Sequence, residues 1–180
     1  MANENLMTPE FRVSYPAVFR AKKNDLNGKD EYNVVALFKK GEDLSKLKAA
    51  AEKAICDKWG SDKAKWPKNL RSPFRDQGEK EGAGYEEGAV FMNLKSNQKP
   101  GLVNAQVEDI IDESEFYSGC YARATVSCYA YDQAGNRGVS FGLQNIQKLR
   151  DGDPLGGSRP KAQNEFAPVE SGGSSGGLFD

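Results

Sequence analysis

Between residues 120 and 131 the chain alternates without a break. Cys120, Ala122, Ala124, Val126, Cys128 and Ala130 share one parity, and Tyr121, Arg123, Thr125, Ser127, Tyr129 and Tyr131 share the other. Side chains along a strand point to opposite faces in turn, so this period of two predicts a long strand. Its first face is small and apolar, as a tight core requires. Its second carries three tyrosines and an arginine, and calls for another explanation.

The same reading predicts further strands. EFRVSYPAVF (10 to 19) sets Phe11, Val13 and Tyr15 against Arg12 and Ser14, with Pro16 expected to stop the strand. EYNVVALFKK (31 to 40), AVFMNLKS (89 to 96) and LVNAQV (102 to 107) follow. RGVSFGLQNIQKL (137 to 149) returns after the turn DQAGN as the hairpin partner of the opening strand. One helix is predicted over 43 to 60, where Leu44, Leu47, Ala51, Ile55 and Trp59 recur at helical spacing, with Asp43 or Ser45 at its start and Gly60 at its end. Its apolar stripe suits packing on a sheet. Residues 61 to 88, rich in glycine, proline and charge, argue against a buried element there.

From Asp151 onward the pattern fails. The stretch is dense in Gly, Ser and Pro and too poor in apolar residues to offset the entropy of folding. The expected organisation is therefore one domain over 1–157 and a disordered C-terminal tail over 158–180 that ends in Leu178, Phe179 and Asp180. Five or six strands and one helix suggest a mostly β fold: an antiparallel five-stranded or slightly larger barrel like the oligonucleotide/oligosaccharide-binding (OB) barrel. That fold conventionally places its helix after the third strand, whereas this one follows the second.

Composition narrows the chemistry. The chain of 180 residues contains no histidine, which removes every Ser-His or Cys-His nucleophile and every His-ligated metal site. Cys56, Cys120 and Cys128 form no CxxC, and the last two lie too far apart along one strand for a disulfide, so reduced thiols are expected. No phosphate-cradling glycine motif is present, and no cofactor or metal is expected. The acids Asp109, Asp112, Glu113 and Glu115 invite comparison with a carboxylate-metal nuclease, but their spacing fits no ligand pattern. Asp151-Gly152-Asp153 reads as a turn. MANENLMTPE is no signal peptide, and no apolar run is long enough for a bilayer, so a cytosolic setting without membrane contact is expected. The net charge of −1 hides a split. Asp151, Asp153, Glu165, Glu170 and Asp180 outweigh Arg159 and Lys161 in the tail, which leaves a mildly basic body.

A mildly basic body with a tyrosine-bearing face suits single-stranded nucleic acid, whose bases stack on rings for about 1–3 kcal/mol each while its phosphates take cations. The expected interface is Tyr121, Arg123, Tyr129 and Tyr131 with Tyr117 just upstream. Phe91 and Lys95 on a neighbouring strand, Lys99 in its turn, and Arg71, Phe74 and Arg75 from the long loop complete it. The competing explanation for the tyrosine face is burial under the helix or in a dimer interface, so a homodimer stays open.

The segments TPEFRVSYPAVF, KWG, GAVFMNLKSNQKPGLVN and above all EFYSGCYARATVSCYAYDQAGNRGVSFGLQNIQKLRDGDPLGG resemble a family of phage proteins, long treated as a domain of unknown function, that includes OB-fold single-stranded DNA-binding proteins of tailed phages. The resemblance covers about residues 8 to 157. It implies a non-enzymatic, sequence-tolerant binder that coats single strands during phage DNA replication, recombination or repair in the cytoplasm of the infected bacterium. The tip Leu178-Phe179-Asp180 is similar in kind to the acidic-hydrophobic tips of such binders, with one terminal acid instead of a cluster, and implies recruitment of replication or recombination proteins. A binding module for RNA or for a recombination protein is the main alternative.

Overall fold

A computed structural model describes residues 6–23, 28–80, 84–133, 135–155 and 166–169. The 157/158 boundary and the tip 178–180 lie outside them. The elements in chain order are β1 (Leu6–Met7), β2 (Phe11–Lys23), β3 (Asp30–Leu37), α1 (Ser45–Trp59), β4 (Arg75–Asp76), β5 (Val90–Ser96), β6 (Gly101–Val103), β7 (Tyr121–Gln133) and β8 (Asn136–Arg150), with three short 3-10 turns between them.

Five of these strands pair in a ring. β2 pairs with β3, β3 with β5, β5 with β8, β8 with β7, and β7 returns to β2 through Phe11–Ala122 and Arg12–Tyr121. All joins are antiparallel except β5–β8, where Leu94 faces Phe141 and Lys95 faces Gly142 in parallel. The ring is therefore OB-like, and the purely antiparallel expectation is corrected at one seam. β6 adds a second parallel pairing on the outer edge of β8 and ends at Val103, well short of the predicted residue 107. The helix does lie between the second and third strands of the ring, as its sequence position required.

The alternation of β7 divides inside from outside. Cys120, Ala122, Ala124 and Val126 are fully buried and join Phe11, Val13, Val34, Met92, Leu94, Phe141 and Ile146 in one core. Small side chains on β7 leave room for the phenylalanines opposite, which is how a five-stranded ring fills its narrow interior. Leu47 and Ala51 of α1 enter the same core, and the helix lies against β7 and β8. It thus covers the apolar side of β7 and leaves the tyrosine side uncovered. Cys128 is half-buried, and desolvation pushes its thiol up to about 11. Burial raises the thiol of Cys120 as well. All three cysteines are free, as the sequence required.

Pro16 does not stop the first long strand. β2 continues through it by means of a bulge: Tyr15 and Pro16 lie between Ser14 and Ala17, where β3 has only Val34 between Val35 and Asn33. Proline has no N–H to give the ladder, so a bulge is where a strand can hold it. The extra residue reverses the alternation. Tyr15, on the parity of buried Val13, is 68% exposed instead, and its φ is 44°. A side chain with a Cβ loses roughly 1–2 kcal/mol in that left-handed region.

The loop after α1 contains one buried residue that composition concealed. Gln77 is 2% exposed. Its Nε2 donates to the carbonyls of Phe38 and Val90, both at 2.9 Å, and its Oε1 accepts from the Glu86 N–H at 2.8 Å. One amide thus ties the loop to the end of β3 and the start of β5. Among the described residues, no buried polar side-chain atom lacks a partner. Replacing Gln77 with Leu removes three hydrogen bonds and leaves the Phe38 carbonyl and the Glu86 N–H without this partner, while the Val90 carbonyl keeps its bond from the Phe38 N–H; each group left unpaired when buried costs about 1–3 kcal/mol, against some apolar gain. The Gln77→Leu variant is expected to unfold at least about 2 kcal/mol more easily in a urea titration, with an unchanged slope.

Candidate nucleic-acid interface

The site forms where the barrel departs from a regular ring. β5 and β8 pair side by side only at Leu94–Phe141 and Lys95–Gly142. Toward the start of both strands they diverge, and residues 71–76 fill the gap. Arg71 bridges Gly138 of β8: its N–H donates to the Arg137 carbonyl at 2.9 Å, and its carbonyl accepts from the Val139 N–H at 3.2 Å. Four residues later Arg75 and Asp76 pair with Phe91 and Val90 of β5. Between these attachments Phe74 sets its ring edge-on to Phe141, with centroids 5.9 Å apart. The Asp76 carboxylate accepts from the Gly78 N–H at 2.8 Å and the Gly88 N–H at 3.0 Å, and these bonds hold its pKa below the ordinary carboxylate value.

This segment becomes the wall of an open groove of about 530 Å³ on the outside of the barrel. Arg71, Phe74 and Arg75 line it from the wall, Asn93 and Lys95 from β5, Val139 and Ser140 from β8, and Tyr131 from β7. Five residues expected from the sequence therefore meet in one place: Arg71, Phe74, Arg75, Lys95 and Tyr131. Three cations oppose one acid, Glu79, which takes the Arg75 guanidinium in bonds of 3.0 and 2.8 Å.

Glycines seat the tyrosines. Tyr131 pairs with Gly138 across the hairpin, and Tyr129 pairs with Ser140 beside Gly142. A Cβ on Gly138 would stand 2.5 Å from the Arg71 carbonyl and 2.9 Å from the Tyr131 hydroxyl. A bare backbone at 138 is thus what lets the wall and the ring approach β8 together. Tyr129 continues the same outer face and is 45% exposed.

The remaining expected residues lie elsewhere or are engaged. Phe91 is corrected outright. It is 1% exposed, under the Arg75 guanidinium at 5.2 Å and beside Tyr85 at 6.2 Å, so it offers no ring face to a ligand. Its parity is that of Lys95, but the inserted segment covers it. Tyr121 sits at the far end of β7, with Arg150 at 3.8 Å from its ring centroid and Arg12 at 5.7 Å. Arg123 donates from Nε to the Gln147 side-chain oxygen at 2.8 Å. The Tyr117 hydroxyl donates to Asp151 at 2.9 Å, and burial followed by this bond raises its pKa. Lys99 is exposed in the turn between β5 and β6, away from the groove lining. Of the four acids compared with a metal site, Asp112 accepts from the Ser114 N–H and hydroxyl, which lowers its pKa, and Glu113 pairs with Arg20 at 3.2 Å. Among the described residues, no three metal-binding side chains gather.

A closed five-stranded ring with one parallel seam, carrying rings and cations in an external groove, defines an OB-like barrel protein. Over residues 4–175 the chain matches the family model of the single-stranded DNA-binding protein of Enterobacter phage Enc34, and it belongs to that family. It is also similar to a putative protein, p50, of Acyrthosiphon pisum secondary endosymbiont phage 1, with 29% identity, 86% of this chain and 88% of the relative being covered. Among solved structures, the Enc34 protein in complex with single-stranded DNA superposes with a TM-score of 0.68 at 17% identity, over 84% of this chain and 89% of that one. A single-stranded DNA-binding protein encoded by bacteriophage T7 follows with a TM-score of 0.62 at 14% identity, covering 98% and 100%. These two likenesses confirm the fold.

The wall is testable without any ligand. Gly138→Val is expected to dislodge residues 71–75 from β8. Hydrogen exchange at the Val139 amide should rise at least about tenfold while the amides of the β3–β5 ladder stay protected, the mark of a local opening.

Proposed function

We propose that the protein binds single-stranded DNA without regard to sequence, in the groove between residues 71–75, β5 and the β7–β8 hairpin. The observation that carries this is the convergence of Arg71, Arg75 and Lys95 with the rings of Phe74 and Tyr131 from three separate chain segments. Rings accept any base by stacking, and cations accept any phosphate, so the combination is sequence-tolerant. Tyr129 extends the stacking face. Membership of the Enc34 family, whose namesake is described as a single-stranded DNA-binding protein, supports the reading.

In this role the protein is a coat, not an enzyme. It protects strands exposed in phage replication and recombination inside the host cell, and Leu178-Phe179-Asp180 recruits the replication or recombination proteins that act on them. Among the described residues, no helix is long and apolar enough to cross a membrane.

Fluorescence anisotropy with labelled oligo-dT and a matched duplex, at low and physiological salt, tests the reading. Wild type should bind dT and hold the duplex far more weakly. Tyr131→Ala, and to a lesser extent Tyr129→Ala, should weaken dT binding about 5- to 100-fold with an unaltered melting temperature. With three groove cations, log K should fall against log salt with a slope of about −2. No dT binding at low salt would exclude the reading, and unchanged affinity in both tyrosine variants would move the site elsewhere.

Glu79 gives a test of opposite sign. It holds Arg75 in an exposed ion pair, which a phosphate must replace. Glu79→Gln should tighten dT binding by about 2- to 5-fold at low salt, and the gain should vanish in high salt where exposed charges are screened.

A further inference from the structure

Tyr15 carries a large ring on the bulge of β2, and none of its own side-chain contacts with the described residues offsets the strain of its backbone. It is 68% exposed, at φ 44°, on the bulge of β2. Its side chain makes no hydrogen bond, ion pair or ring contact with the described residues. The bulge that holds Pro16 turns the ring outward, while Ser14, one position before, is 1% exposed with its hydroxyl 3.0 Å from that of Tyr85. A large ring held in solvent by a backbone conformation that disfavours it is a feature that the surroundings must maintain, and such strain concentrates at functional positions.

The register places this ring in line with the groove. The bulge lies between two rungs of the barrel. On one side Ser14 faces Val35, which faces Asn93; on the other Ala17 faces Asn33, which faces Lys95. Asn93 and Lys95 are the β5 floor of the groove. Two strand spacings, about 10 Å, therefore separate the bulge from the groove along rungs that cross the outer surface of β3. Tyr131 and Tyr129 stand beyond the groove on the opposite side.

We propose that Tyr15 is a second stacking platform, and that a bound single strand leaves the groove past Lys95, crosses β3 and rests a base on the Tyr15 ring. The proposal rests on the groove being the DNA site. It makes that site a track across three strands, with aromatic rings at both ends and cations between them. The bulge is what turns the ring outward: on a regular strand Tyr15 would take the buried parity of Val13.

The test compares wild type with Tyr15→Ala, Tyr15→Phe and Tyr15→Gly on oligo-dT from about 4 to about 20 nucleotides, a range that brackets the footprint of one such barrel. Tyr15→Ala and Tyr15→Gly should weaken the longer oligomers about 5- to 100-fold and leave the shortest, which the groove alone accommodates, unchanged. Tyr15→Phe keeps the ring and should bind as wild type. Tyr15→Gly, free of the left-handed penalty, should melt at or above the wild-type temperature while binding worse, a divergence that a purely structural tyrosine would not produce. Wild-type binding with equal affinity in Tyr15→Ala at every length overturns the proposal and leaves the groove standing. An unchanged affinity with an altered sedimentation coefficient overturns it too and makes the ring a contact between copies. Absence of wild-type dT binding would instead remove the groove reading on which it depends.

Discussion

A barrel closed through one parallel pair has a geometric debt at that seam. β5 and β8 run together for two residues and then separate, and unpaired backbone at the separation would otherwise face solvent or core. The segment 71–76 meets both edges, with Arg71 on β8 and Arg75–Asp76 on β5. Everything else about the groove follows from this insertion. It raises a wall beside β5, turns two arginines outward, sets Phe74 edge-on to Phe141 of the core, and buries Phe91 beneath Arg75. Gln77 and Asp76 then fasten the far end, one amide and one carboxylate together receiving or giving five hydrogen bonds to backbone.

The electrostatic character of the site is local. A chain of net charge −1 has no general attraction for a polyanion, yet the groove gathers three cations around one acid. At physiological ionic strength, charges beyond about 8 Å are largely screened, so the balance inside the groove outweighs the balance of the whole molecule. The histidine-free composition agrees with this emphasis on permanent cations and neutral rings.

Much of the fold was legible in the sequence because β7 is so regular. Strict alternation between Cys120 and Tyr131 identified both the core face and the outward face, and the helix, the hairpin and the third long strand followed from equally strong periods. What escaped was the effect of inserted backbone. Phe91 has the parity of Lys95, and nothing local to it announces that Arg75, from an earlier loop, will cover it. Tyr15 has the parity of Val13, and only the Pro16 beside it hints at a bulge, because a proline in a strand pattern is as compatible with a strand end. The rings of Tyr121 and Tyr117 were readable as aromatic but not as already engaged, because Arg12, Arg150 and Asp151 are distant in sequence. Gln77 was hidden by a loop whose composition is that of solvent-exposed chain.

The bulge of β2 has one more effect. Beyond Val13, which still bonds to Cys120 and Gly119, β2 pairs with β3 on one side, and its other edge has no strand partner among the described residues. An exposed edge of that length is a template on which a second chain can add itself by main-chain bonds. The missing N–H of Pro16, the twist of the bulge and the charges of Arg20, Lys22 and Lys23 interrupt the template. Copies of this chain brought close together would meet at just such an edge, and the bulge in β2 works against their pairing there.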